Sequence, residues 1–163
     1  MPTLSEICRN HVQESNSWYC SVSALEFAAK FYGLLPLDSF PLQSRPENER
    51  LGFDDTSLQN EMGLQGEDLG LLPQLALERI ETETNQDKVV AIALLLFPKD
   101  PSQPPAYHIH LAAKEEGQLV LVDPANGQEI CPARLDLATL LHANSRDNKE
   151  RKEIHLLILS PKN

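Results

Sequence analysis

Cys20-Ser-Val-Ser-Ala-Leu-Glu-Phe-Ala-Ala-Lys-Phe-Tyr32 is the stretch around which the rest of this 163-residue chain is read. It is rich in helix formers, and Gly33 followed by Pro36 supplies the stop. Val22, Leu25, Ala28, Ala29 and Tyr32 recur at three- and four-residue steps. The small Ala24, Ala28 and Ala29 permit close approach on that side. The pattern predicts a buried central helix over residues 20–32.

Upstream, residues 1–19 are polar and mixed, ending in Gln13-Glu-Ser-Asn-Ser-Trp18-Tyr19. Downstream, residues 34–66 hold prolines at 36, 41 and 46 and little periodicity, with a short helix expected from Ser57 to Met62. A second helical pattern is expected from Glu67 to Thr82, where Leu69, Leu72, Leu75, Ala76 and Ile80 form a stripe. Pro73 marks a break or a fresh start within it.

The second half changes character. Val89-Val-Ala-Ile-Ala-Leu-Leu-Leu-Phe97 is a continuous apolar run, as in a strand covered on both faces. Tyr107 to Ala112 and Leu119 to Val122 flank Lys-Glu-Glu-Gly-Gln and read as a hairpin, with Gly117 relieving the turn. Asp123-Pro-Ala-Asn-Gly127 is a turn by composition. Leu135 to His142 reads as a short helix, Arg146 to Glu153 as a charged loop, and Ile154 to Leu159 as a final strand. Helices first and antiparallel strands second predict an α+β fold, with residues 1–163 as a single domain.

Composition narrows the function classes. With 14 Lys plus Arg against 24 Asp plus Glu, the formal net charge is −10. That disfavours nucleic acid and anionic membrane surfaces as partners, since both call for a surplus of cations on one face. The N-terminus carries no apolar segment behind a basic start, so no Sec-type signal is expected. The apolar run Val89–Phe97 is far shorter than the roughly 20 residues of a membrane helix. Cys8, Cys20 and Cys131 cannot all pair within one chain, which suits a reducing compartment.

Four side chains, Cys20, His108, Asp123 and Gln13, carry candidate chemistry. A thiol at Cys20, in the first turn of its helix, would face unpaired backbone N–H groups and the positive end of the dipole, which favours thiolate. The alternative is a cysteine that fills the core. His108 and His110 stand two apart on one strand and share a face. A hairpin centred between Glu115 and Glu116 sets His108 opposite Asp123, whose carboxylate would fix the imidazole tautomer. Alternatively, Asp123 serves only the Asp-Pro turn. Gln13 lies seven positions before Cys20 and could join the Cys20 N–H in holding an oxyanion, or be a surface glutamine.

Gln, then Cys opening an apolar helix, then His on a strand, then Asp ending the next strand, is the order found in papain-like thiol hydrolases. The chain resembles the compact C39-type peptidase domains that cleave bacteriocin leader peptides, and the similarly built bacterial effectors that deamidate glutamine. The likeness rests on Gln13 through Leu25, Phe31-Tyr-Gly33, Tyr107-His-Ile-His110, Leu119-Val-Leu-Val-Asp-Pro124 and the final strand. It implies a papain-like arrangement and a Cys20-His108-Asp123 triad with Gln13 at the oxyanion hole. A protein or peptide substrate is then expected, with neither cofactor nor metal. It also implies a cytoplasmic protein, or one exported without a Sec signal into a target cell. The same machinery serves a peptidase or a glutamine deamidase.

Two rivals stand beside it. One is a mononuclear metal site at His108-x-His110, and the other a papain-fold binding module without turnover. Finally, between Asp38 and Asp87 there are 12 acidic and 3 basic residues, a balance of −9. The excess charge thus sits in the segment joining the helix to the sheet. There it can steer a basic protein or peptide, or simply form a solvated face.

Overall fold

A computed structural model describes residues 2–10, 20–48, 55–71, 73–97, 102, 106–123, 128–130 and 151–162. In chain order the elements are α1 (Leu4–Asn10), α2 (Cys20–Phe31), α3 (Thr56–Glu61), β1 (Leu64–Leu71), α4 (Pro73–Thr84), β2 (Val89–Phe97), β3 (Ala106–Glu115), β4 (Gln118–Asp123), β5 (Gln128–Ile130) and β6 (Arg151–Pro161). The six strands form one open antiparallel sheet in the order β1-β6-β2-β3-β4-β5. The fold class is α+β.

Alternation along the strands sorts side chains onto two covered faces. Val89, Ala91 and Ala93 of β2, Ile109, Leu111 and Ala113 of β3, and Leu157 and Leu159 of β6 form one core with residues of α1, α2 and α3. Val90, Ile92, Ala112, Leu121, Ile154, Leu156 and Ile158 form the other, closed by Ala76 and Ile80 of α4. The apolar composition of Val89–Ala93 follows from this, since both faces of that part of β2 are buried.

The central helix matches its prediction. Residues 21–30 are buried without interruption, Ser21, Ser23, Glu26 and Lys30 included. Its end is a Schellman cap: Gly33 N–H donates to Lys30 O at 3.0 Å and Leu34 N–H to Ala29 O at 2.8 Å, with Gly33 at φ 73°. The short helix α3 is also found. Its N-cap Asp55 accepts a hydrogen bond from Leu58 N–H at 3.0 Å, the type of contact whose loss costs about 1 kcal/mol.

The expected helix over 67–82 is corrected. Its first third is strand β1, paired to β6 residue by residue from Leu64↔Pro161 to Leu71↔Ile154. The helix begins only at Pro73, which takes the first helical position, where its missing N–H costs nothing. Leu69 therefore belongs to a strand and Leu75, Ala76 and Ile80 to a helix, while Leu72 lies outside the described residues. The final strand is longer than the expected 154–159, and β5 is an addition. The helix expected at 135–142 lies outside the described residues. Among those residues, no helix is long and apolar enough to cross a membrane.

Candidate active site

Cys20 is the first residue of α2, and no acidic residue occupies that first turn. A group there meets the unsatisfied N–H end of the helix. The opposite end of α2 is fastened to the sheet by Tyr32. Its hydroxyl accepts Val89 N–H at 2.8 Å and donates to Leu159 O at 2.7 Å. Burial, with Asp87 nearby, pushes this phenol up to about 12 despite the opposing hydrogen bond from Val89.

This anchor sets the level of Cys20. From Cys20 to Phe31 the helix climbs 11 steps, about 17 Å at ~1.5 Å each. That equals about five strand residues at ~3.3 Å. Counted along β2 from Val89, five residues lead to Leu94, whose partner on β3 is His108. An α2 laid along the strands would therefore bring its first residue level with position 108.

The hairpin register differs from expectation. Glu115 pairs with Gln118 and Leu111 with Val122, so partner numbers sum to 233 rather than 231. The reason is the turn: Glu116 (φ 52°) and Gly117 (φ 79°) both take left-handed conformations, the pattern of a two-residue type I′ connection. The turn centre thus falls one residue later than composition suggested. One step past Leu111↔Val122, position 123 comes level with His110, not His108. Asp123 itself pairs with Gln128 of β5.

A shift of two preserves parity, so the histidine pair keeps its common face, and that face can be identified. His110 pairs with Ile92 and alternates with Ile109 and Leu111, which pack beneath α2. Half-buried His110 thus belongs to the α4 face, and positions 108 and 123 share the parity of that face. Gln13 lies outside the described residues. Cys20, His108 and Asp123 are described here through backbone and register. Among the described residues no three His, Cys, Asp or Glu side chains converge as a metal set.

Two polar features escaped the sequence reading. The first is the buried Glu26 and Lys30 pair. Glu26 Oε2 accepts Leu42 N–H at 2.9 Å and Oε1 accepts Gln43 Nε2 at 2.8 Å, while Lys30 Nζ lies 3.7 Å from the Phe40 ring centroid. Asn48 Nδ2 donates to Leu42 O at 2.9 Å, closing the loop on itself. Burial raises Glu26 against the pull of Gln43, Leu42 and Lys30. Burial also lowers Lys30 to about 8, with Glu26 and Asp38 opposing. These groups bind residues 38–48 to the helix that carries Cys20. Their only signal was two charges, four apart, on an otherwise apolar helix.

The second feature is His155 on β6, whose Nδ1 lies 3.8 Å from Asp68 Oδ1. It pairs with Ala93 and has the parity of Leu157 and Leu159, so it stands on the α2 face, one residue below the level of Leu94. In comparison with known proteins, no protein-family model matches this chain, and no curated protein matches it either.

Proposed function

We propose that this protein is a papain-like thiol hydrolase acting on amide bonds of a protein or peptide substrate. The Cys20 thiolate attacks the carbonyl carbon, and the oxyanion so formed is held by the Cys20 N–H together with Gln13. His108 as imidazolium gives its proton to the leaving nitrogen, and the C–N bond breaks to leave a thioester on Cys20. Water, deprotonated by His108, then releases the acid and restores the thiol. Position 123, level with His110 and diagonal to His108 across the hairpin, supplies the carboxylate that would orient the imidazole. A peptide amine as leaving group makes the reaction proteolysis, whereas ammonia from a glutamine side chain makes it deamidation.

One relation carries this reading. Cys20 opens a helix buried over ten successive residues, whose far end is fastened by Tyr32 to the start of β2. A second reading, a protein-binding module of similar shape without turnover, is favoured by a different observation: the parity of His110 belongs to the face away from α2.

The test begins with iodoacetamide near neutral pH. Labelling of Cys20 well ahead of Cys8 and Cys131 is the expected result, and equal rates would sink the hydrolase reading. Mass spectrometry of a protein panel then separates backbone cleavage from conversion of glutamine to glutamate. Cys20→Ala is expected to abolish either product. His108→Ala should be far more damaging than His110→Ala; the reverse would give the base role to His110, which is level with position 123, and a loss confined to His155→Ala would transfer it to the α2 face.

A further inference from the structure

Strand β1 ends the sheet. Among the described residues it has one partner strand, β6, and its ladder runs unbroken over 8 pairs. Edge strands usually carry a device against further pairing, such as proline, lysine or a bulge. Leu64-Gln-Gly-Glu-Asp-Leu-Gly-Leu71 has none of these, and Gln65, Gly66, Glu67, Asp68 and Gly70 are exposed. What it does carry is negative charge on both faces, Glu67 opposite Ile158 and Asp68 opposite Leu157.

Beside this edge lies a groove of about 270 Å³ lined by Gln65, Gly66, Glu67, Lys88, Ile158 and Ser160. Two nearby cations share the Glu83 carboxylate: Lys88 Nζ lies 3.0 Å and Arg79 Nε 2.9 Å from it. Glu67 is 62% exposed and receives Arg79 at a long 3.7 Å. Strand β1 itself bears two carboxylates, Glu67 and Asp68, and no cation.

We propose that β1 is a strand-addition edge for an extended, basic segment of a partner protein, with one of its Lys or Arg side chains seated in this groove against Glu67. Backbone pairing would supply affinity, and the groove would select the side chain. Charge complementarity decides the occupant. A second copy of this chain would set Glu67 and Asp68 against their own duplicates, and like charges facing each other across strands destabilise pairing. A cationic strand meets the opposite situation. The surface is separate from the Cys20 chemistry and would bind equally in an inert variant.

The full chain carrying Cys20→Ala, labelled with nitrogen-15, is titrated with a peptide of β1's length, 8 residues, alternating lysine and valine. Slowed amide exchange within Leu64–Leu71, and affinity that falls as salt rises from about 0.02 to about 0.3 M, are expected. Glu67→Lys with Asp68→Lys should weaken binding about tenfold. Both residues are exposed, and should that variant misfold, the exchange map of the parent protein carries the test. The proposal is overturned if the peptide fails to bind or protects residues outside β1. It is equally overturned if a glutamate-valine peptide binds as well, or if the free chain dimerises through β1.

Discussion

Replacing Tyr32 by Phe removes one oxygen atom and tests how the central helix is aligned with the sheet. The ring stays in place, so no cavity opens. Two buried backbone groups lose their partner: Val89 N–H at 2.8 Å and Leu159 O at 2.7 Å, in residues that are 1% and 0% exposed. Two net hydrogen bonds, together with the cost of stranding their buried partners, come to about 2–4 kcal/mol. Urea titration should show a lower midpoint with an unchanged slope. At about 3 kcal/mol, Tm should fall by about 6–12 °C for a chain of this size. The wild-type phenol, raised to about 12 from 10.0, adds stability that is complete below pH 10 and disappears as pH rises through 12. The variant should lack that alkaline decline. A destabilisation below about 0.5 kcal/mol would mean that the hydroxyl does not bridge β2 and β6. The level assigned to Cys20 would then have lost its anchor.

The buried pair on α2 allows two further predictions. Lys30→Met removes the cation that favours the buried Glu26 charge, which keeps its hydrogen bonds from Leu42 and Gln43, and should cost about 1–3 kcal/mol, whereas Glu26→Gln with Lys30→Met should recover that loss, as a double-mutant cycle by chemical denaturation would show. The pH dependence follows from the signs. Lys30, lowered from 10.5 to about 8, contributes stability present above pH 10.5 and lost as pH falls through 8. Glu26, raised above 4.5, contributes stability present below pH 4.5 and lost as pH rises through its folded value. Relative to wild type, the double variant should therefore stand best around neutrality, losing the Lys30 share of that standing toward pH 10.5 and the Glu26 share toward pH 4.5. A difference independent of pH would refute the assignment.

Local chemistry explains which parts of the fold were legible. The central helix was readable from Ala24, Ala28 and Ala29, from its apolar spacing and from Gly33, because its start, face and stop are all encoded within a few residues. The Val89–Ala93 part of strand β2 was readable because burial on both faces demands an uninterrupted apolar run. Strand β1 was not. Leu64–Leu71 contains two glycines and two acids, and its leucines continue into the helical stripe of α4, so its own propensity points away from a strand. Only pairing with β6, some ninety residues downstream, makes it one.

For the candidate site the division is sharper. The sequence by itself determined the residue types and their order: a cysteine opening a buried helix, histidines on one strand face, and an aspartate ending the next strand. It also determined where the negative charge collects. Tertiary structure decided the spatial relations, because these depend on contacts between distant segments. Two positive-φ residues, Glu116 and Gly117, moved the hairpin register by two, and the packing of α2 and α4 on opposite faces decided which histidines share a side with the cysteine helix. Strand alternation has a period of two and is local, so parity could be read from the chain. Which face each helix covers is a global property, settled only when the sheet is assembled.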